Sequence, residues 1–254
     1  MTTRPILVTG GTGTLGRAVV DLLLETGHQV RVLSRSPRAG DERNGLSWAV
    51  GDLKTGVGID DAVAGVDAVV HCATTNGKAD VPTSAALLAA IERAGGVHLV
   101  YISIVGVDVV PMFYYRAKLE VERAIERSGV AFTILRATQF HDLVATMSAA
   151  QRLLPVTLAP SGTSFQPIAV RDVARRLVEL VDSGPSGRVA DIGGPAVRTA
   201  DDLARAYLAS VGKKKKVLTI RIPGKTGAGY RSGGHLAPDN RYGVGTFEEF
   251  LASR

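Results

Sequence analysis

Residues 5–16 read Pro5-Ile6-Leu7-Val8-Thr9-Gly10-Gly11-Thr12-Gly13-Thr14-Leu15-Gly16, a short apolar run that passes straight into a glycine-rich turn. A nearly all-apolar segment of this length predicts a strand buried on both faces. Behind the turn, Leu15, Val19, Leu22 and Leu23 recur at helical spacing up to Gly27, which is placed to end a helix. Gly10, Gly13 and Gly16 stand at G-x-x-G-x-x-G spacing between these two elements. Glycines in such a turn let the backbone approach a pyrophosphate, whose charge is met by N–H groups and the positive end of the helix dipole. Gly10, Thr12, Gly13, Thr14, Leu15 and Gly16 are therefore candidate cofactor-binding residues.

Outward from this unit, strand and helix alternate. Strands are expected at Gln29–Leu33, Leu46–Val50, Asp67–Cys72, His98–Ile104 and Ala131–Arg136, and helices at Ile59–Ala64, Pro82–Ala94 and Tyr114–Ser128. That order predicts an α/β fold, a Rossmann-type doubly wound parallel sheet with helices on both sides. After Arg136 the rhythm loosens. A helix at Gln139–Leu154, a strand at Phe165–Val170 and a helix at Val170–Asp182 are expected, and the segments Arg188–Ile192, Thr199–Ser210 and Val217–Ile222 complete a smaller mixed part. Seven glycines between Gly224 and Gly245 predict an irregular surface loop, followed by a last helix at Thr246–Ser253. The expected division is a dinucleotide-binding core over residues 1–154 and a small C-terminal part over 155–254 that completes the substrate cleft, within one structural unit.

The segment after the second strand reads Leu33-Ser34-Arg35-Ser36-Pro37-Arg38, and the first acid beyond it is Asp41. An acid at this place would accept the ribose hydroxyls of NAD, whereas arginine grips a 2′-phosphate through paired donors. NADP is thus expected over NAD, with Arg35 foremost and Ser36 and Arg38 behind it. Asp52 and Leu53 follow the third strand and are expected beside the adenine ring. Cys72, Ala73 and Thr74 follow the fourth, where small side chains leave room for the cofactor.

Ser103 lies at the end of the fifth strand, and Tyr114 and Lys118 stand one helical turn apart in Tyr114-Tyr115-Arg116-Ala117-Lys118. A phenol is a poor acid–base group at neutral pH until a neighbouring ammonium stabilises its phenolate. Tyr114, Lys118 and Ser103 are the candidate catalytic residues, with Lys118 also touching the cofactor. Phe113, Gln139, Phe140 and His141 are candidate substrate-lining residues. His28, His71, His98, His141 and His235 have no metal-ligand spacing, so no metal site is expected.

The chain has 254 residues and a net charge of +6. Seven basic residues and no acid lie between Lys213 and Pro238; the remainder carries 23 basic against 24 acidic residues, a net of −1. The basicity is local, and no nucleic-acid-binding motif accompanies it, so Lys213–Lys216 is expected to be a solvated turn. One cysteine excludes an internal disulfide, and no apolar run reaches the ~18 residues of a membrane helix. The opening MTTRPILVTGG is too short in apolar length for a signal peptide, so a cytoplasmic protein is expected, with a small-molecule substrate. A homo-oligomer is compatible with the sequence.

TGGTGTLG at the first turn, the serine-ending fifth strand, YYRAK, LRATQF, FQPIAVRDVA and TFEEFLA together resemble the short-chain dehydrogenase/reductases. The glycine spacing is similar to the extended and atypical subgroups, particularly the NmrA-like NAD(P)-binding proteins. The resemblance covers nearly the whole chain. It implies cofactor contacts from Gly10, Gly13, Gly16, Arg35 and Asp52, and acid–base roles for Tyr114 and Lys118. An NADP-dependent oxidoreductase of a carbonyl or alcohol is the leading expectation. A non-catalytic NADP(H)-sensing regulator, and an epimerase or isomerase that retains its nucleotide, are the alternatives.

Overall fold

The computed structural model describes residues 4–38 and 43–254, so Asp41 lies outside the described residues. In chain order the elements are β1 (Ile6–Thr9), α1 (Thr14–Glu25), β2 (Val30–Ser34), β3 (Leu46–Val50), α2 (Ile59–Val63) and β4 (Ala68–His71). Then come α3 (Asp80–Ala94), β5 (His98–Ile104), α4 (Phe113–Arg127), β6 (Phe132–Ala137), α5 (His141–Ala149), β7 (Val156–Pro160) and β8 (Ser164–Phe165). The chain closes with α6 (Val170–Ser183), β9 (Gly187–Arg188), β10 (Arg198–Thr199), α7 (Ala200–Ser210), β11 (Lys216–Ile220), α8 (Gly224–Arg231) and α9 (Phe247–Ala252).

Seven strands form the central sheet in the order β3-β2-β1-β4-β5-β6-β9. β1 pairs in parallel with β2 on one side and β4 on the other, so the winding reverses at β1. All four residues of β1 and all four of β4 are buried, three apolar residues in each followed by the polar Thr9 and His71. The doubly wound parallel sheet expected from the sequence is the sheet observed.

Two compact units interleave along the chain. The first comprises Met1–Ser103, Arg116–Leu135 and Val173–Val189, and the second Ile104–Tyr115, Arg136–Asp172 and Ala190–Arg254. Within the first, Leu7, Val69, Leu87, Ile91, Leu99, Val121 and Ile125 belong to one apolar core between sheet and helices. Within the second, Val144, Phe165, Leu203, Phe247 and Leu251 form another. Two small sheets complete it, β8 with β10 antiparallel and β7 with β11 parallel.

The second unit departs from the sequence expectation in several places, and the strand expected at Phe165–Val170 is confined to the two residues of β8. The glycine-rich stretch carries α8. A Cβ at Gly227 would overlap the Ile222 carbonyl, and one at Gly229 would stand 3.2 Å from Val110 Cα. These glycines serve close packing of a helix rather than looseness of a loop. The helix begun at residue 141 ends at Ala149, and the residues after it lead into β7, a strand that no alternation announced. Gln151 accounts for the break: its side-chain amide donates to the Leu158 carbonyl at 3.1 Å and accepts from the Leu158 N–H at 2.8 Å. The segment Thr199–Ser210 is α7 with Thr199 as its cap, the hydroxyl accepting from Asp202 N–H.

Irregular backbone in the second unit is satisfied by buried side chains. Gln166 is fully buried; its amide donates to the Gly194 and Ala237 carbonyls at 2.9 and 3.1 Å and accepts from Ala237 N–H at 2.8 Å. Gln166→Leu keeps the volume but leaves three backbone groups without that partner, each costing roughly 1–3 kcal/mol. The expected loss is about 3 kcal/mol or more, read as a lower urea midpoint; a change under ~1 kcal/mol would remove Gln166 from this role.

Candidate functional site

The reversal of winding at β1 leaves the C-terminal ends of β1 and β4 side by side, the place where open α/β sheets bind ligands. The turn after β1 is built on close approach. Gly10 has φ +70°, and a Cβ there would lie 2.6 Å from the Ala73 backbone nitrogen just past β4. A Cβ at Gly16 would overlap the Gly10 carbonyl, and that same carbonyl accepts from Gly13 N–H at 2.9 Å. The spacing of the three glycines is thus the spacing of one folded contact. Leu15 and Gly16 are buried, while Thr12, Gly13 and Thr14 face solvent at the start of α1. That helix has no acid in its first turn and no side-chain cap. The partial positive charge of its opening N–H groups and dipole favours an anion there.

At the end of β2 the Ser34 hydroxyl donates to the Ser36 carbonyl at 2.7 Å, folding Arg35 and Ser36 outward into solvent. Arg38 has a different engagement, its guanidinium 5.7 Å from the centre of the Trp48 ring. Asp52 shapes its own turn: its carboxylate accepts from Lys54 N–H at 2.9 Å, and its carbonyl accepts from Gly56 N–H at 2.8 Å. Leu53 packs against the apolar core of the first unit.

The segment after β4 is held by a residue that the sequence reading passed over. Asp80, 2% exposed at the start of α3, accepts from the Thr74 hydroxyl at 2.6 Å, the Thr75 hydroxyl at 2.7 Å and the Thr75 N–H at 2.5 Å. Asn76, inside this clamp, is the one non-glycine residue with positive φ among those described. Thr-Thr-Asn-Gly ahead of an acid at a helix start was the available signal, since carboxylates favour that position.

Behind the glycine turn runs a buried polar line. Thr9 Oγ1 lies 2.7 Å from His71 Nδ1, and His71 Nε2 lies 3.0 Å from Ser84 Oγ. Burial, followed by the charge on Lys118, lowers the His71 pKa to about 3, so the ring is neutral and each nitrogen has a hydroxyl partner. The His71 and Tyr101 rings are 5.5 Å apart, and the Lys118 ammonium sits 4.7 Å from the centre of Tyr101. Burial pushes the Cys72 thiol up to about 12, which leaves it protonated and unreactive.

Lys118, 4% exposed on α4, donates to the Ile102 carbonyl at 3.2 Å. Burial lowers its pKa to about 8 against the opposing pull of Asp80, Cys72 and Glu122. One residue past Ile102, Ser103 is buried and its hydroxyl has no hydrogen-bond partner among the described residues. Tyr114, half-buried, stands one turn ahead of Lys118 on α4. Its neighbour Tyr115 is buried within the second unit, its ring 6.5 Å from Tyr230, and burial drives its phenol well above the ordinary range. Tyr115 is thus a packed neutral phenol.

The four substrate-lining candidates separate. Phe113 is exposed and Phe140 half-buried. Gln139 donates to the His235 carbonyl at 3.3 Å, and His141 Nε2 bonds the Gly245 carbonyl at 3.1 Å while its ring stacks on Phe250. Both side chains hold the glycine-rich C-terminal stretch inside the second unit. Burial lowers the His141 pKa, as expected of a packed neutral ring.

A family model described as NAD(P)H-binding matches residues 10–184. The chain is 34% identical over 202 residues to a (4-alkanoyl-5-oxo-2,5-dihydrofuran-3-yl)methyl phosphate reductase of Streptomyces griseus, covering 77% of this chain and 70% of that protein. It is 29% identical over 222 residues to an NAD(P)H azoreductase of Xenophilus azovorans, covering 85% and 77%. An NADPH-dependent quinone oxidoreductase from Escherichia coli, solved with NADPH, has the same fold, with a TM-score of 0.85 at 19% identity over 98% of this chain and 99% of that one.

The lowered Lys118 pKa has a consequence for stability. Between about 8 and its ordinary 10.5, the unfolded chain holds a proton on this lysine that the folded chain has released. Stability contributed at this site therefore rises with pH across that window. Urea unfolding of the native chain and of Lys118→Met should show the native chain gaining on the variant from pH 8 to 10. Parallel profiles would mean that Lys118 titrates normally in the fold.

Proposed function

We propose that this chain, which belongs to the NAD(P)H-binding family, is an NADP-dependent oxidoreductase of a small, largely apolar carbonyl compound or the corresponding alcohol. The observation that carries the reading is the uncapped, acid-free start of α1 above a turn too tight for a side chain at Gly10 or Gly16. Those features fit a nucleotide diphosphate. Gly10, Thr12, Gly13, Thr14 and the backbone of Leu15 and Gly16 would hold it, with Ala73 and Thr74 bordering it after β4. Arg35 and Ser36, turned outward after β2, would take the 2′-phosphate, with Arg38 in support. Asp52 and Leu53 would border the adenine through the turn they form.

When bound, NADPH supplies a hydride to the substrate carbon. The protein's part is the proton. In the reductive direction Tyr114 gives its phenolic proton to the carbonyl oxygen, so that C=O takes up one hydride and one proton and becomes an alcohol. The Lys118 charge favours the phenolate left behind. Ser103, with a buried hydroxyl that has no hydrogen-bond partner among the described residues, orients the substrate oxygen. The relatives described as reductases of an alkanoyl-furan phosphate and of azo compounds support reduction of small acceptors as the reaction class.

Two variants test the two halves of this reading. Tyr114→Phe should retain NADPH affinity and lose turnover by about 10²–10⁴-fold against a panel of ketones, quinones and conjugated enones. Turnover within a factor of two of the native chain would take Tyr114 out of the mechanism. Arg35→Ala should weaken NADPH binding by about tenfold or more in a fluorescence titration while leaving NADH affinity unchanged. Equal losses for both dinucleotides would remove Arg35 from phosphate recognition.

A further inference from the structure

The two-stranded sheet of β7 and β11 has unequal edges. The Ser161 N–H donates to the Ile220 carbonyl at 2.8 Å, so Ile220, and with it Leu218 two residues earlier, turns its backbone groups toward β7. Leu158, which faces the other way on β7, has both backbone groups closed by the Gln151 amide. On β11 the alternate residues, Val217 and Thr219, turn their N–H and carbonyl groups outward. No strand or side chain among the described residues pairs with them, since β11 is bonded to β7 alone.

The same strand carries an apolar stripe. Leu218, Ile220 and Ile222, at every second position, are 47%, 44% and 37% exposed, whereas Val217 packs toward the core of the second unit. An open edge supplies main-chain hydrogen bonds and an alternating stripe supplies side-chain recognition, the two requirements for adding a strand. Charge selects the occupant. Lys213, Lys214 and Lys216 lie at one end of the strand and Arg221 and Lys225 at the other, with no acid from Lys213 to Pro238. Lys215 is otherwise engaged, donating to the carbonyls of Gln151, Arg152 and Leu154. A second copy of the chain, paired antiparallel or in register, would set basic ends against basic ends.

We infer that β11 is a docking edge for an extended, acid-flanked segment of another protein, which joins β7 and β11 as a third strand. Its main chain bonds Val217 and Thr219, its apolar side chains cover Leu218 and Ile220, and its acidic flanks meet the lysines and arginine.

The probe is a short fluorescein-labelled peptide of alternating valine and threonine with paired glutamates at each end, beside a counterpart with paired lysines. Anisotropy titrations with the full chain should show the acidic peptide bound at least about tenfold more tightly. Thr219→Pro removes an outward N–H without touching the ladder to β7, and should weaken that binding by at least about tenfold. The combined Lys213→Glu, Lys214→Glu and Lys216→Glu variant, whose changes are all on exposed residues, should reverse the preference between the two peptides. Thermal melting and NADPH titration confirm that both variants fold. Binding of neither peptide, equal binding of both, or binding unchanged in Thr219→Pro would overturn the inference. So would a dimer, seen by sedimentation without peptide, that Thr219→Pro dissolves.

Discussion

The absence of a Cβ at Gly10 sets the geometry of the first unit. With φ at +70° and the Ala73 nitrogen 2.6 Å from where a side chain would begin, the end of β1 presses directly against the backbone that leaves β4. The β1–β4 pairing ends in that contact, and the turn it forces delivers the chain into α1 with its N–H groups unclaimed. Any side chain at Gly10 or Gly16 would move the turn, and with it the opening of the helix. The tightness that only glycine permits also leaves the start of α1 without a side-chain cap, an arrangement that favours an anion.

Polar groups buried behind the turn stabilise its surroundings at a cost. His71 gives up its charge, and its two nitrogens are absorbed by the hydroxyls of Thr9 and Ser84. Lys118 keeps a charge less readily than a surface lysine, held by the Ile102 carbonyl, the Tyr101 ring and the field of Asp80. Burial of an ammonium is tolerated only where such partners converge. Asp80 has a second duty, fixing Thr74 and Thr75 after β4 through three hydrogen bonds. One carboxylate thus links the shape of the segment beside the glycine turn to the electrostatics of the lysine. The buried Ser103 hydroxyl has no hydrogen-bond partner among the described residues.

The second unit solves a different problem. Its strands are short and its segments irregular, so ladders cannot satisfy its backbone. Single side chains do so instead: Gln166 bonds two separated segments, Gln151 closes the edge of β7, and the Asp172 carboxylate accepts from the N–H groups of Val244 and Gly245. His141 and Gln139, on the stretch after β6, tie down residues about a hundred positions later. Gln139 and His141, two of the four residues expected at the substrate wall, thus also hold the unit together.

What the sequence determined by itself was whatever depends on near neighbours along the chain. The G-x-x-G-x-x-G spacing, the buried runs of β1 and β4, and the match of β5 from His98 to Ile104 follow from local sterics and from periodicity. Those rules fixed the doubly wound sheet and the position of the glycine turn. Tertiary structure decided what depends on distant partners. Thr9 meets His71 across 62 positions and Gln166 meets Ala237 across 71, and no periodicity encodes either pairing. The glycines of 224–245 read as a loop because a glycine's use for close packing is invisible until the neighbour, here Ile222 or Val110, is in place. Lys118 reads as an ordinary cation until burial and its partners set its proton affinity, because a pKa is a property of surroundings and not of spacing.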